Sequence, residues 1–351
     1  MTRVPQVVVY DPNHVNGYGR ELAHLLSRDQ TVQLYLPRDP SWVPAGPRLR
    51  PVLAVDRAND GLLRTTLLRL VGPFRATWAA RRRSVLIAVW VRDPWDGVCL
   101  ILAATLGVRV VVVNHNPTAI RSRPGLAGWV ERRLKRRATN VVHSALMLDA
   151  ARKDASDVRV APHPPYAAWT ALYSPSRRRQ PGGSTVLALG ALRTDKAIDD
   201  VVAAVTHTRH RPLRLIVAGR GDLPPRARAT LAASGVELDD RSSISHLSEE
   251  AIAAAVSDSD VLLAPYEAVT QSGAVVLAVS AGLPVLGYRR GALPELVAPS
   301  ALTEPHDLDA YASLIDRFLD DPWPTAATTA DELAAQCAAA WSTVIGDLED
   351  M

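Results

Sequence analysis

Cysteine, phenylalanine and long apolar runs are scarce in this 351-residue chain, which holds two cysteines, two phenylalanines and 5% aromatic residues. Cys99 and Cys337 sit in apolar helical contexts without metal-ligand spacing. They read as reduced packing residues, which excludes a disulfide framework and a cysteine-based zinc site. No stretch reaches the roughly 18 to 20 apolar residues of a membrane helix. The opening MTRVPQVVVYDPN shows no secretory apolar region, so a cytoplasmic location is expected. Net charge is also small, +4 from 40 basic and 36 acidic residues, and gives no general nucleic-acid footprint. No short-period repeat is present.

What is present is a 48% hydrophobic composition arranged as short apolar runs alternating with helical patterns, the signature of α/β domains with parallel sheets. In the first half strands are expected at Gln6 to Tyr10, Val32 to Leu36, Val85 to Val91, Arg109 to Asn114 and Asn140 to His143. Helices are expected between them at Tyr18 to Ser27, Leu62 to Arg82, Gly97 to Leu106 and Leu126 to Arg137. The second half repeats the alternation, with strands near 185–189, 214–218, 236–238, 261–265 and 284–287. A Pro, Gly, Ser and Arg-rich segment, YSPSRRRQPGGS, reads as a linker over 173–184. The expected organisation is two doubly wound, Rossmann-like domains, 1–172 and 185–328, facing each other across a cleft, with a C-terminal helix at about 329–351 packing back on the first.

Arginine is concentrated in the first half. Between Leu62 and Arg83, Leu63, Leu67, Leu70, Phe74 and Trp78 recur at helical spacing with arginines on the other faces. Two readings stand: a core-packed helix with a solvated basic rim, or a helix lying on an anionic membrane surface.

The most informative run is Val261 to Val297, VLLAPYEAVTQSGAVVLAVSAGLPVLGYRRGALPELV. A buried-strand pattern turns through Pro265 and Tyr266, and Gln271, Ser272 and Gly273 open an apolar helix that Gly282 ends. The first N–H groups of a helix lack partners and carry partial positive charge, so an anion such as a diphosphate is the natural ligand. Upstream, VLALGALRTDKAIDD puts Gly190, Arg193 and Lys196 just beyond a strand. Two such cations neutralise a diphosphate and stabilise it as a leaving group. Gly17 and Gly19 follow the first strand, but Gly-x-Gly alone is a weak fingerprint that an ordinary strand-to-helix turn also explains.

Taken together, Gly190-Ala-Leu-Arg193-x-x-Lys196, DVLLAPYEAVTQSGAVVLAVSAGLPVL and the GALPE of Gly291 to Glu295 resemble the donor half of GT-B glycosyltransferases of the family-4-like group, the group 1 superfamily. VVVNHNPTAI, VVHSALMLDAA and VAPHPPYAAW resemble the acceptor half and interdomain segment of the same group, so the likeness covers nearly the whole chain. The resemblance implies a hexosyltransferase-like enzyme without metal or cofactor. It would move a sugar from a nucleoside diphosphate sugar, UDP or GDP type undecided, to a lipid-linked saccharide or a secondary-metabolite acceptor. It places the diphosphate on Gly190, Arg193, Lys196, Gln271, Ser272 and Gly273. Gly17, Gly19, Gly219, Tyr266, Glu267 and Glu295 become candidates for the donor's sugar or nucleotide. Many members carry two glutamates eight positions apart, where this chain has Val269 and Leu277. Glu267, two residues earlier, is a substitute for the first.

Histidines supply the remaining acid/base candidates. His115 ends a strand and is the catalytic candidate beside Arg193 and Lys196, while His14, Asn116 and His163 are acceptor-side candidates. Each histidine also has an ordinary reading as a hydrogen-bonded structural residue, and His143 reads that way. Asp258-Ser-Asp260 superficially resembles a metal-binding Asp-x-Asp, but it ends a helix. Two other functions fit the same architecture: a catalytically silent partner protein, motivated by the missing glutamates, and a sugar-nucleotide epimerase or phosphorylase. Peripheral contact with the inner face of a membrane accompanies the basic-helix reading, and no nucleic-acid partner is expected.

Overall fold

The computed structural model describes residues 7–349 apart from 14, 38–39, 56–61, 81–83, 116–124, 176–182 and 268–270. His14, Asn116, Val269, Arg81 to Arg83 and most of the predicted linker lie outside the described residues, as do the side chains of Leu63, Leu67 and Leu70. The chain forms two compact units, one of residues 1–164 with 333–351 and the other of residues 165–332.

The first unit runs β1 (Val7–Tyr10), α1 (Tyr18–Leu26), β2 (Val32–Pro37), β3 (Leu49–Val55), α2 (Leu62–Ala80), β4 (Val85–Ala88), α3 (Pro94–Thr105), β5 (Arg109–Val113), α4 (Gly125–Arg137), β6 (Thr139–Val142), α5 (Leu148–Arg152) and β7 (Asp157–Val160). Its seven strands are all parallel in the order β3-β2-β1-β4-β5-β6-β7. The central strands β1, β4 and β5 are mostly Val, Ile and Leu because both faces are covered. On one face β1 packs with Tyr18, Leu22 and Leu26 of α1. On the other, Ala76 and Ala80 of α2, Leu100 and Ala103 of α3 and Leu134 of α4 close a second core layer.

The second unit runs α6 (Ala167–Tyr173), β8 (Ser184–Leu189), α7 (Ile198–His207), β9 (Leu213–Arg220), α8 (Pro225–Ser234), β10 (Glu237–Ser243), α9 (Glu249–Ser257), β11 (Val261–Ala264), α10 (Gly273–Ser280), β12 (Val285–Tyr288), α11 (Leu293–Leu296), β13 (Leu302–Thr303) and α12 (Leu308–Asp320). Its six parallel strands are ordered β10-β9-β8-β11-β12-β13. The chain then returns to the first unit as α13 (Ala330–Glu349), whose Cys337, Trp341, Val344 and Ile345 join the core layer of β1 and α1. Cys337 is buried and donates from Sγ to the Pro162 carbonyl at 3.2 Å.

In both sheets winding reverses beside the first strand, between β1 and β4 and between β8 and β11. A crevice opens at the carboxyl ends of strands at such a reversal, where open α/β sheets take their ligands.

Of the five apolar positions read on α2, the described side chains are those of Phe74 and Trp78, and neither packs in the core. Ala76 and Ala80 point into the sheet, whereas Phe74 and Trp78 are 54% and 57% exposed.

Candidate functional site

At the β8/β11 reversal the two segments singled out from the sequence meet. β8 ends at Leu189, and Gly190 follows with φ +117°. The chain then makes a short 3-10 turn, Thr194–Lys196. β11 ends at Ala264, leads through Pro265 and Tyr266, and reaches α10. The backbone N–H of Glu267 donates to the Asp195 carbonyl at 3.2 Å, fastening one loop to the other.

Lys196 is the centre of this junction. Its Nζ lies 3.2 Å from Ser272 Oγ and 3.5 Å from the centroid of the Tyr266 ring. Ser272 is the N-cap of α10, yet its side chain makes no capping bond and turns to the ammonium instead. The first N–H groups of α10 therefore keep no side-chain cap, and the helix dipole adds its positive end to the Lys196 charge. Two further polar atoms here, Gln271 Oε1 and Tyr266 Oη, are buried and find no hydrogen-bond partner among the described residues. Buried polar groups are nearly always paired, so a crevice with a cation and orphaned polar atoms is built for a polar guest.

Glycines shape the floor. A Cβ on Gly219 of β9 would lie 1.7 Å from the Gly190 carbonyl oxygen, so only glycine permits the two strand ends to approach. Gly273 begins α10 against Tyr166, whose hydroxyl would be 3.0 Å from a Cβ there. The Tyr166 N–H donates to Ser280 Oγ at 2.8 Å, pinning the other end of the same helix.

Other predicted residues stand apart. Arg193 is 62% exposed and its guanidinium pairs with Asp195, Nε to Oδ1 at 2.9 Å and Nη2 to Oδ2 at 2.8 Å. It does not join Lys196 and Ser272. Glu267 is exposed at the loop, and Glu295 is exposed on α11. Leu277 is buried within α10, so no carboxylate arises from that family position. Asp258 pairs with Arg241 at 2.8 Å and Asp260 accepts from the Thr185 N–H at 2.8 Å. Asp258 thus ties the end of α9 to β10, and Asp260 ties the start of β11 to β8.

In the first unit Gly17 caps α1 and Gly19 lies in its first turn, where a Cβ would sit 2.6 Å from Asp11 Oδ2. Glycine at 19 thus lets the helix close on the buried Asp11 carboxyl. Burial pushes that carboxyl up to about 7, against the attraction of Arg20.

Beyond β5, β6 and β7 three histidines ring Tyr18, with centroids at 4.8 Å for His115, 5.0 Å for His143 and 4.8 Å for His163. His115 also stacks on Trp90 at 3.9 Å. Burial holds all three imidazoles neutral, His143 down to about 4 and His163 to about 3, with His115 pushed well below its usual value by burial and by His143 and His163. His115 Nε2 faces the Val89 carbonyl at 3.1 Å, His143 Nδ1 the Ala161 carbonyl at 3.0 Å, and His143 Nε2 faces His115 Nδ1 at 3.3 Å. Three such contacts need three ring protons and a neutral pair carries two, so one contact lacks its proton. His163 Nδ1 lies 2.7 Å from the Pro164 carbonyl. Beside the cluster a cavity of about 270 Å³ is lined by Trp90, Asp93, Asn114, His115, Glu131 and Lys135. Asn114 Nδ2 and Trp90 Nε1 are buried and find no partner among the described residues.

Sequence reasoning missed His143, Tyr18, Trp90 and Tyr166 as site residues. For His143 a signal existed: β5 pairs Val113 with Val141 of β6, so the residues two beyond each, His115 and His143, emerge side by side.

Comparison with known proteins bears on this geometry. Residues 183–321 match the family model described as "Glycosyl transferases group 1". A 2-deoxystreptamine glucosyltransferase of Streptomyces kanamyceticus is 32% identical over 154 residues, 42% of this chain and 39% of that protein. The alignment thus spans about two fifths of the relative's length. Among solved structures, sucrose-phosphate synthase from Thermosynechococcus elongatus superposes with a TM-score of 0.61 at 17% identity, covering 98% of this chain and 97% of the other. Anabaena HepE in complex with UDP-glucose superposes with a TM-score of 0.60 at 14% identity over 99% and 97%.

Proposed function

We propose, from the premise that this is a GT-B fold chain whose residues 183–321 belong to the group 1 glycosyl transferases, that it moves a sugar from a nucleoside diphosphate sugar to a hydroxyl-bearing acceptor. The observation that carries this reading is the convergence of Lys196 Nζ, Ser272 Oγ and the α10 N-terminus at the β8/β11 reversal. In transfer, the bond from the anomeric carbon to the diphosphate oxygen breaks and a bond to the acceptor oxygen forms. The acceptor hydroxyl gives up its proton, and the diphosphate leaves with an added negative charge. Lys196 and the helix amides face that charge as it grows, the preorganised stabilisation that lowers such barriers. The electropositive group is thus supplied by side chain and backbone, which supports metal-independent transfer.

Arg193 joins this function by leaving Asp195 for the diphosphate, a swing of an exposed guanidinium away from a half-buried carboxylate. His115, which lines the first unit's cavity at the end of β5, is the proposed acid/base group; burial keeps it neutral and makes it a weak base, so an acceptor bound in the cavity must raise its basicity for it to take a proton. The acceptor class is a lipid-linked saccharide or a secondary-metabolite ring. The experiment is incubation with a panel of UDP and GDP sugars and both acceptor classes, read by mass shift of the acceptor and release of nucleoside diphosphate. Transfer from one donor is expected, and no product or release across the panel would overturn the reading.

Leu277, buried where the family carries its second glutamate, favours one other reading, a silent protein that binds sugar nucleotides without turnover. Binding of a donor with no transfer in the same panel would establish it.

A further inference from the structure

α2, α3 and α4 lie on one face of the first sheet, with α3 packed between the other two. Each turns small or aliphatic residues inward and sends large apolar ones out. α2 exposes Phe74 and Trp78, whose rings stack at 6.3 Å. α3 exposes Trp95, Val98, Leu102 and Leu106, spaced three and four apart along one stripe. α4 exposes Leu126 and Trp129. These side chains are between 40% and 72% exposed. Contiguous apolar surface of this kind marks an interaction site.

Charge decides the partner. Arg132, Arg133 and Arg136 are exposed on α4 at three, four and seven residues beyond Trp129, so they share its face. Arg75 is exposed next to Phe74, and Arg137 donates from Nη1 to Thr105 Oγ1 of α3 at 2.8 Å. The three helices hold two carboxylates. Asp96 is buried against Arg92 and Tyr10, and Glu131 pairs with Lys135 at 2.8 Å. Among the described residues of these three helices, the face therefore presents tryptophan, phenylalanine and leucine within an arginine field that exposed acid does not offset. A second copy meeting it about a two-fold axis would set arginine against arginine. Tryptophan prefers the headgroup level of a bilayer, where its ring is sheltered and its N–H stays wet, and arginine is drawn to anionic lipid. No helix among the described residues is long and apolar enough to cross a membrane.

We propose that the α2–α3–α4 face docks on an anionic lipid bilayer, lying in its interface without spanning it. This stands apart from the transferase reading, because vesicle binding needs no sugar nucleotide. The test is flotation of the full chain with phosphatidylcholine vesicles, with and without roughly 30% phosphatidylglycerol as the source of negative surface potential. The protein is expected to float with the anionic vesicles alone and to be released by high salt. Arg132→Gln with Arg133→Gln should weaken partitioning about 30-fold, at ~1 kcal/mol per basic residue. Trp78→Ser with Trp129→Ser should weaken it further, and flotation of both variants is read at a temperature below the melting transition of each. Failure to float with either vesicle, or equal flotation of wild type and variants, would overturn the proposal. A dimer in sedimentation velocity that Trp129→Ser dissociates, with vesicles ignored, would replace lipid by a second copy.

Discussion

The two units share one winding pattern and use it differently. Each sheet reverses beside its first strand, but the second unit fills the crevice with a lysine, a serine and glycines, while the first lines its strand ends with histidine, tyrosine and tryptophan. Their outer surfaces differ as well. Among the described residues of the second unit, only Leu172 and Ile244 are large apolar side chains as exposed as the α2–α4 stripe. Topology places a crevice in each, and the residues at its rim decide whether an anion, a neutral ring or nothing enters.

The largest expected effect tests the backbone of the β8/β11 crevice. Gly219→Ala forces a Cβ against the Gly190 carbonyl, where neither strand end can yield, and should cost about 4 kcal/mol or more in a denaturant melt. Gly190→Ala meets open space but keeps a positive φ, and should cost about 1 to 3 kcal/mol. Equal losses would show that the close approach is not what glycine provides at 219.

Acid separates the units next. His143 and His163 ionise near 4 and 3 when folded, against 6.5 as free groups, and His115 is lowered too. Between those values and 6.5 the unfolded chain binds more protons, so stability is full above about 6.5 and falls as pH drops toward 4. Asp11 works the other way. Its carboxyl, raised from 3.8 to about 7, gives stability present below 3.8 and lost as pH rises through 7. Three histidines outweigh one carboxyl, so the first unit should lose protection of its β5 and β6 amides before the second unit as pH falls from 6.5 to 4. Hydrogen exchange across that range checks this, and simultaneous loss in both units would contradict it.

The smallest effect concerns the exposed cation. Arg193→Ala should change the melting free energy by less than about 0.5 kcal/mol, since exposed pairs contribute little. It should also weaken nucleoside diphosphate binding less than Lys196→Ala does, because Lys196 is already seated on Ser272.

Much of this was legible in the sequence. The alternation of apolar runs gave ten strands and the crossover helices α1 to α4 and α7 to α10 to within a few residues, because buried parallel strands are nearly pure Val, Ile, Leu and Ala; the short α5 and α11 escaped. The strands that escaped are at edges or very short. β3 carries Pro51 and Arg50, β7 is Asp-Val-Arg-Val, and β13 has two residues. An edge strand tolerates proline and charge, so its pattern fades. α12 was missed despite a readable signal, an Asp307 cap followed by buried Tyr311, Leu314, Ile315 and Phe318. At the candidate site Lys196 and Ser272 were legible because each follows a strand or opens a helix. The pairing of Arg193 with Asp195 was not, since a local ion pair two residues apart leaves no periodic trace. The histidine ring depends on sheet register, which joins residues far apart in sequence.

The central claim is that Lys196 and the start of α10 hold a diphosphate. Titration calorimetry of UDP and of GDP into the wild-type chain and Lys196→Ala, both shown folded by melting, tests it directly. The account predicts that the wild type binds one of the two nucleotides and that Lys196→Ala binds it about tenfold to a hundredfold more weakly, the weight of a charged hydrogen bond. Equal affinity in the two proteins, or no binding by the wild type, would contradict it.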